Sequence, residues 1–321
     1  IQHTVERVKS LVDIENIYVV TNEMYKNLVL EHITDIPEAN IIIEPAAKNT
    51  APCIGLAAIH IAKKDINSKM IILPSDHLIK FNEIFIDTLK TALDVVEKDN
   101  NLATIGITPN YPETGYGYIN FKKGEKFKNK ANVYEVLSFV EKPNLEKAKE
   151  YLASGQYLWN SGMFVWKTST ILKNFKEYLP EIFDGLQKIG ESINTEKYEN
   201  ILKEVFSNFP SESIDYGIME KADNIYVIPG NFGWDDVGSW LSLERINKTN
   251  QDGNVIKGNV ISIKTKNSII QGGDKLIATI GLEDVVIVDT DDVTLICHKN
   301  NTQEVKEIIS NLRICNRNEY L

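Results

Sequence analysis

Two acidic residues, Asp235 and Asp236, stand side by side in "GNFGWDDVGSW", among glycines and two tryptophans. Like charges repel, and aromatic surroundings make an ionised group costly to desolvate. A solvated surface turn or a bound cation would each resolve that conflict, and the residue types leave both open. A third acid, Asp76, follows the apolar run "MIIL" in "LPSDH". In open α/β sheets ligands gather outside the carboxyl ends of strands. Asp76 is therefore either a site residue or the cap of the next helix. If Asp76 and one of the pair converge, they offer oxygen ligands to a hard cation, because Mg²⁺ is held by one or two carboxylates plus substrate phosphates. His77 lacks the partner histidine or cysteine that a softer metal asks for and reads as structural.

Three further segments carry polar chemistry, each with a plain alternative. "GYGYI" (115–119) is a glycine-flanked aromatic turn, which is also an ordinary hairpin signal. "FVEKP" (139–143) sets Glu141 and Lys142 at a strand end. Neighbours on a strand point to opposite faces, so these two are not expected to pair with each other. One could accept from sugar hydroxyls while the other meets a phosphate; a solvated pair is the alternative. "WNSGMFVW" (159–166) places Asn160 in a tight turn before an apolar strand, where its amide offers a donor and an acceptor or simply forms the turn.

The elements that would position these residues follow from the patterning. "NIYVVTN" (16–22), "NIIIEP" (40–45), "KMIILPSDH" (69–77) and "LATIGI" (102–107) read as buried strands. Residues 50–64, with Pro52 in the first turn, and 82–98, with Phe85, Leu89, Leu93 and Val96 on one face, read as helices. That alternation predicts a mostly parallel sheet with helices on both faces. After residue 110, "YGYINF", "VYEVLSFVEKP" and "GMFVWKT" predict an antiparallel or mixed region, with helices at 169–178 and 195–206. Past "NKTNQDGN" the chain becomes short strands separated by Gly, Asn and Asp, the pattern of a sandwich, barrel or solenoid. A boundary near 250 then divides residues 1–250 from 251–321. "TQEVKEIISNL" (302–312) reads as a closing helix capped by Thr302. The first residues, "IQHTVERVKSLV", are helical in pattern, and no GxGxxG or GxxxxGK[ST] occurs in the chain.

The 321 residues, 43% hydrophobic and 25% charged, have the balance of a soluble globular protein. No apolar run approaches the ~20 residues needed to span a bilayer. A net charge of −10 with no basic stripe argues against nucleic acid and leaves a phosphorylated small molecule needing local cations or a metal. Cys53, Cys297 and Cys315 lie far apart and read as reduced thiols, so a cytoplasmic setting is expected.

Taken in order, "EPAAKNTAP", "ILPSDH", "TGYGYI", "FVEKP", "WNSGMFVW", "SIDYGIMEKA" and "GNFGWDDVGSW" resemble the signature blocks of mannose-1-phosphate guanylyltransferases. The resemblance runs from about residue 1 to 300. It implies a Rossmann-like α/β nucleotidyltransferase domain with a mixed sheet flanked by helices, and a small C-terminal β-helix-like domain. It implies GTP and mannose 1-phosphate as substrates, GDP-mannose as product and Mg²⁺ as cofactor. Carried over residue by residue, Asp76 and Asp236 would hold the metal, with Asp235 the lesser alternative. Gly117, Glu141 and Asn160 would hold the mannose, and Lys142 would face the phosphates. Asn49 and Thr50 would lie near the nucleotide, and Lys221 would reach phosphate. The family's glycine-rich GGxGxRLxP-type loop has no counterpart from Ile1 onward, nor has the central strand before it, so two sheet neighbours are expected to lack a partner. A homodimer joined through the tail is expected. Rival readings are transfer to another sugar 1-phosphate and a catalytically silent sugar-nucleotide binder. A nicotinamide dehydrogenase is disfavoured without a dinucleotide fingerprint.

Overall fold

The computed structural model describes residues 1–97, 99–123 and 132–320. It contains two compact units, Ile1–Trp234 and Asp235–Leu321. The division falls ahead of the composition change near 250, because Trp240, Leu241 and Leu243 pack on the apolar core of the later strands.

The first unit opens with helix α1 (Gln2–Val8), strand β1 (Val19–Thr21), helix α2 (Lys26–His32) and strand β2 (Ile41–Ile43). β1 and β2 pair in parallel, Val19 opposite Ile41. Helix α3 (Thr50–Lys64) starts where the Asn49 side chain accepts the Thr50 N–H, continues through small apolar residues and ends in Lys63 and Lys64, which suit the negative end of the helix. β3 (Lys69–Ile72), α4 (Asn82–Val96) and β4 (Leu102–Ile107) complete the alternating part. Then come β5 (Tyr118–Phe121), β6 (Tyr134–Val140), α5 (Leu145–Ser154), β7 (Tyr157–Lys167), α6 (Thr168–Tyr178), α7 (Pro180–Ser192), α8 (Tyr198–Ser207) and β8 (Ile225–Gly230).

Among the described residues the main sheet has six strands in the order β3-β7-β4-β8-β6-β5. β7 lies antiparallel between β3 and β4, and β8 runs parallel to β4. The sheet is therefore mixed, not mostly parallel: the later strand β7 separates two parallel strands that their local pattern would make neighbours. All six residues of β4 are buried. Alternate side chains supply opposite faces: Leu102 joins Leu56, Phe175 and Leu186, while Ala103 and Ile105 join Phe85 and Leu89. Tyr18, Val20, Ile42, Met70 and Ile72 share one core, yet β1 pairs with β2 alone and β3 with β7 alone among the described residues.

Several local expectations shift. α4 begins at Asn82 after Phe81, so Asp76 caps no helix. α7, with Pro180 in its first turn, adds a helix that the sequence pattern did not announce.

The second unit contains α9 (Ser242–Ile246) and the strands β9 (Val255–Lys257), β10 (Val260–Ile263), β11 (Ile269–Gln271), β12 (Ile277–Ile280), β13 (Val285–Asp289) and β14 (Thr294–His298). β9, β11 and β13 stack in parallel, as do β10 and β12, so the segment coils as a β-helix and is neither a sandwich nor a barrel. Val255, Ile269, Val286 and Val288 fill its inside. At one corner the buried Asn254 donates to Thr265 O at 2.7 Å and accepts from Ser268 N at 2.9 Å, satisfying backbone groups where the coil turns. β14 reverses direction and pairs antiparallel with β13. Helix α10 (Val305–Ile314) follows a 3₁₀ turn, Lys299–Glu304; Thr302 donates its hydroxyl to Lys299 O at 3.2 Å and does not cap the helix.

Candidate functional site

Glu113 shapes the first piece of the site. Its Oε1 accepts from Thr114 N at 2.9 Å and Gly115 N at 2.7 Å, and its carbonyl accepts the Tyr118 hydroxyl at 2.7 Å. The turn so held leads through Tyr116, whose ring meets Trp159 and Trp234 edge-on, to Gly117 at the start of β5. A Cβ on Gly117 would stand 2.6 Å from Glu141 Oε2 and 3.5 Å from Asn160 Cβ. The Glu141 carboxylate fills the space that a side chain at 117 would take, so a larger residue there requires that carboxylate to shift. Asn160 N donates to Gly117 O at 2.8 Å. Three residues singled out in the sequence thus meet at one place.

Asn160 lies inside β7, not in a turn before it. The irregularity is at Gly162, whose φ of 67° goes with a register shift between β4 and β7. The Asn160 amide is fixed at both ends: Nδ2 donates to Asp215 Oδ1 at 2.7 Å, and Oδ1 accepts from Gly162 N at 3.1 Å. One N–H and one oxygen lone pair remain to meet a hydroxyl.

Asp215, which sequence reasoning did not select, opens a π-helical turn running to Met219. Such turns recur at functional sites because they re-aim side chains within a helix. Burial pushes the Asp215 carboxyl above the usual carboxylate range and Glu141's charge pushes the same way, while the Asn160 hydrogen bond pulls against them. Glu220 is raised by burial and by Asp215 and Glu141, with Lys221 opposing. The same segment anchors the start of α3: Thr50 Oγ1 accepts Ile214 N at 2.8 Å, and Ala51 N donates to Glu212 O at 3.0 Å. Asn49, at φ 69°, is held in this junction. Asn49, Thr50, Gly117, Glu141, Asn160 and Lys221 are thereby linked through residues 212–221.

Glu141 and Lys142 form an ion pair at 3.3 Å, against the expectation that they would face apart. β6 ends at Val140, and Lys142 has a φ of 41°, so strand alternation does not govern the pair. The Lys142 side chain is 64% exposed and free to swing toward a ligand.

Asp76 is exposed, past the carboxyl end of β3. Trp234 donates its indole N–H to His77 Nδ1 at 3.0 Å. In the second unit, the buried Asp235 accepts from Arg245 Nε at 2.6 Å, from Arg245 Nη2 at 3.1 Å and from Val237 N at 2.9 Å. A bidentate arginine therefore holds the first acid of the opening pair. Asp236 is half-buried, and its Oδ1 accepts Gly238 N at 3.1 Å. Among the described residues no three or more His, Cys, Asp or Glu side chains gather as a metal cluster. Arg245 had no signal in the sequence beyond its charge.

Gly117→Ala tests the crowding directly. The added methyl must displace the Glu141 carboxylate, so KM for a sugar phosphate is expected to rise roughly tenfold or more, with the circular dichroism spectrum unchanged. An unaltered KM would show that Glu141 does not contact the sugar.

The nucleotidyl transferase family model matches residues 1–253, and the MannoseP isomerase/GMP-like beta-helix domain model matches residues 258–312. The mannose-1-phosphate guanylyltransferase of Escherichia coli (strain K12) is 38% identical over 96% of this chain and 66% of its own length. A putative mannose-1-phosphate guanylyltransferase of Vibrio cholerae is 39% identical over 100% of this chain and 68% of its own. The chain thus spans about two thirds of the length of these curated relatives. Among solved structures, one described as mannose-1-phosphate geranyltransferase from Thermus thermophilus superposes with a TM-score of 0.85 at 29% identity, covering 97% of this chain and 88% of that one.

Proposed function

The chain belongs to the nucleotidyl transferase family, and from that membership we propose that it transfers GMP from GTP to mannose 1-phosphate, giving GDP-mannose and pyrophosphate. The observation that carries the reading is the meeting of Gly117, Glu141 and Asn160, tied through Asp215 to the Asn49–Thr50 start of α3. Carboxylate and amide groups so placed suit a hydroxyl-rich ligand, since an ionised carboxylate only accepts and the amide both donates and accepts.

In the reaction, a phosphate oxygen of mannose 1-phosphate attacks the α-phosphorus of GTP. The bond to the β-phosphate breaks and its electron pair leaves with pyrophosphate. Asn160 and Glu141 hold the sugar hydroxyls, with the amide fixed by Asp215 so that little reorganisation remains. Lys142 leaves its weak contact with Glu141 to meet phosphate charge, and Lys221 acts likewise. No protein nucleophile is required, because the sugar phosphate is itself the attacking group. By the family resemblance Asp76 and Asp236 would supply carboxylate oxygens to Mg²⁺, the donor type that ion takes. The ion, when bound, would offset the negative charge of the phosphates.

A homodimer and a cytoplasmic setting complete the proposal. Among the described residues no helix is long and apolar enough to cross a membrane. Pyrophosphate release measured over a panel of nucleoside triphosphates with mannose and glucose 1-phosphates tests the reaction. Fastest release with GTP and mannose 1-phosphate is expected. Preference for another pair would reassign the substrates, and GDP-mannose binding without any release would indicate a silent binder.

A further inference from the structure

Helices α3, α6 and α7 enclose a cavity of about 290 Å³ that their own side chains do not fill. The buried Ile59 and Leu186 form its floor, and the half-buried Leu172 and Phe183 its walls. Gly55 lets α7 sit close on α3: a Cβ there would stand 2.5 Å from Leu186 Cδ1, so Leu186 packs down on α3 and leaves the space above it open. Lys173 and Lys176, one turn apart on α6, stand exposed at the mouth, with Gln187 of α7. Among the described residues neither ammonium group has an ion pair or a hydrogen bond, and no acid lines the cavity. A chain with 45 acidic residues has placed none of them here. Water in such a space finds few partners, because the floor and walls offer no donor or acceptor.

We propose that this cavity binds an amphipathic organic anion, a compact apolar body carrying one carboxylate. The volume sets the body: about 290 Å³ is roughly twice the apolar cavity that takes one benzene ring, which suits about ten carbons. The mouth sets the head. Two lysines lay their stems along the apolar walls and hold their charges in water, where a carboxylate entering with the body meets both, and the Gln187 amide can donate to the same oxygens. An inorganic anion leaves the walls wet, and a neutral body leaves the lysines without a counter-charge, so the site favours a ligand that joins the two properties. None of Gly117, Glu141, Asn160 or Lys142 lines the cavity, so it is separate from the residues assigned to the sugar phosphate.

Calorimetry on the full chain with naphthoate, its neutral isostere naphthamide and inorganic phosphate tests the assignment. Naphthoate is expected to bind one to one with a Kd of about 0.1 mM, and naphthamide roughly tenfold more weakly. The double variant Lys173→Gln, Lys176→Gln should weaken naphthoate roughly tenfold and leave naphthamide within about twofold, with an unchanged melting temperature because both positions are exposed. Neither phosphate nor GDP-mannose should displace naphthoate. Equal affinity of wild type for naphthoate and naphthamide, or naphthoate binding that survives the double substitution, removes the lysines from the site and overturns the proposal. Displacement by phosphate would show a surface charge effect without an apolar seat, and displacement by GDP-mannose would put naphthoate in the sugar-nucleotide site; either result overturns it. So does an absence of binding at millimolar naphthoate.

Discussion

Asp236→Ala is expected to lower metal-dependent turnover by roughly a thousandfold or more, the scale of removing a main source of charge stabilisation at a phosphoryl centre. Asp236 spends one oxygen on the Gly238 N–H at 3.1 Å. Asp236→Asn can keep that turn while removing the charge. Both variants should therefore lose activity, the asparagine form with its thermal unfolding unchanged and with a higher Mg²⁺ concentration needed for its residual rate. Gly117, Glu141 and Asn160, which we propose hold the sugar, belong to the first unit, so mannose 1-phosphate binding measured without turnover should persist. Wild-type rates in either variant would remove Asp236 from the site.

Arg245→Met has the second large effect, on stability. The Asp235 side chain is 10% exposed and its Arg245 partner 29%. Removing the guanidinium strands a buried carboxylate, and Ser242 Oγ also loses its 2.8 Å donor. Breaking a buried pair in this way costs ~3–5 kcal/mol, and the partial exposure of Arg245 places the effect at the lower end. For a unit of this size that is a fall of about 10 °C or more in its unfolding midpoint. Asp235→Asn combined with Arg245→Met should recover much of the loss, since no bare charge remains. Full additivity of the two single changes in calorimetry would contradict the pairing. Asp236 is joined directly to this anchored residue, so turnover in Arg245→Met should fall as well.

The elements legible in the sequence were those whose signal is local. α3 announced itself through Pro52 and the small apolar residues that follow it, and β4 through its short, mostly apolar run. α7 did not, because Gly185 and Gly190 weaken its helical pattern. The structure explains the first of these glycines: a Cβ at 185 would lie 2.2 Å from Phe209 Cε1, so close contact with the α8 region excludes a larger residue. The insertion of β7 between β3 and β4 was invisible for another reason. Alternation tells a strand which face is inside, but not which strand lies beside it.

The site divides in the same way. Gly117, Glu141 and Asn160 were reached through the ordered blocks that resemble a known family, since each segment alone reads equally as an ordinary turn or a solvated pair. Asp215 did not, since its importance depends on a π-helical turn that brings it to Asn160, 55 residues away in the chain. The Glu141–Lys142 pair was misjudged because the strand rule was extended two residues past the strand. Asp235 posed a sound question, namely what compensates its charge, and the partner proved to be an arginine ten residues on.

The reversal of β14 has a consequence for crowded solutions. A coil made only of parallel rungs offers each end as a template on which an identical molecule could continue the same winding. With β14 laid backwards over β13, the outermost ladder has the wrong polarity for a further parallel turn. Continuation of the same parallel winding by a second molecule at that side is thereby disfavoured.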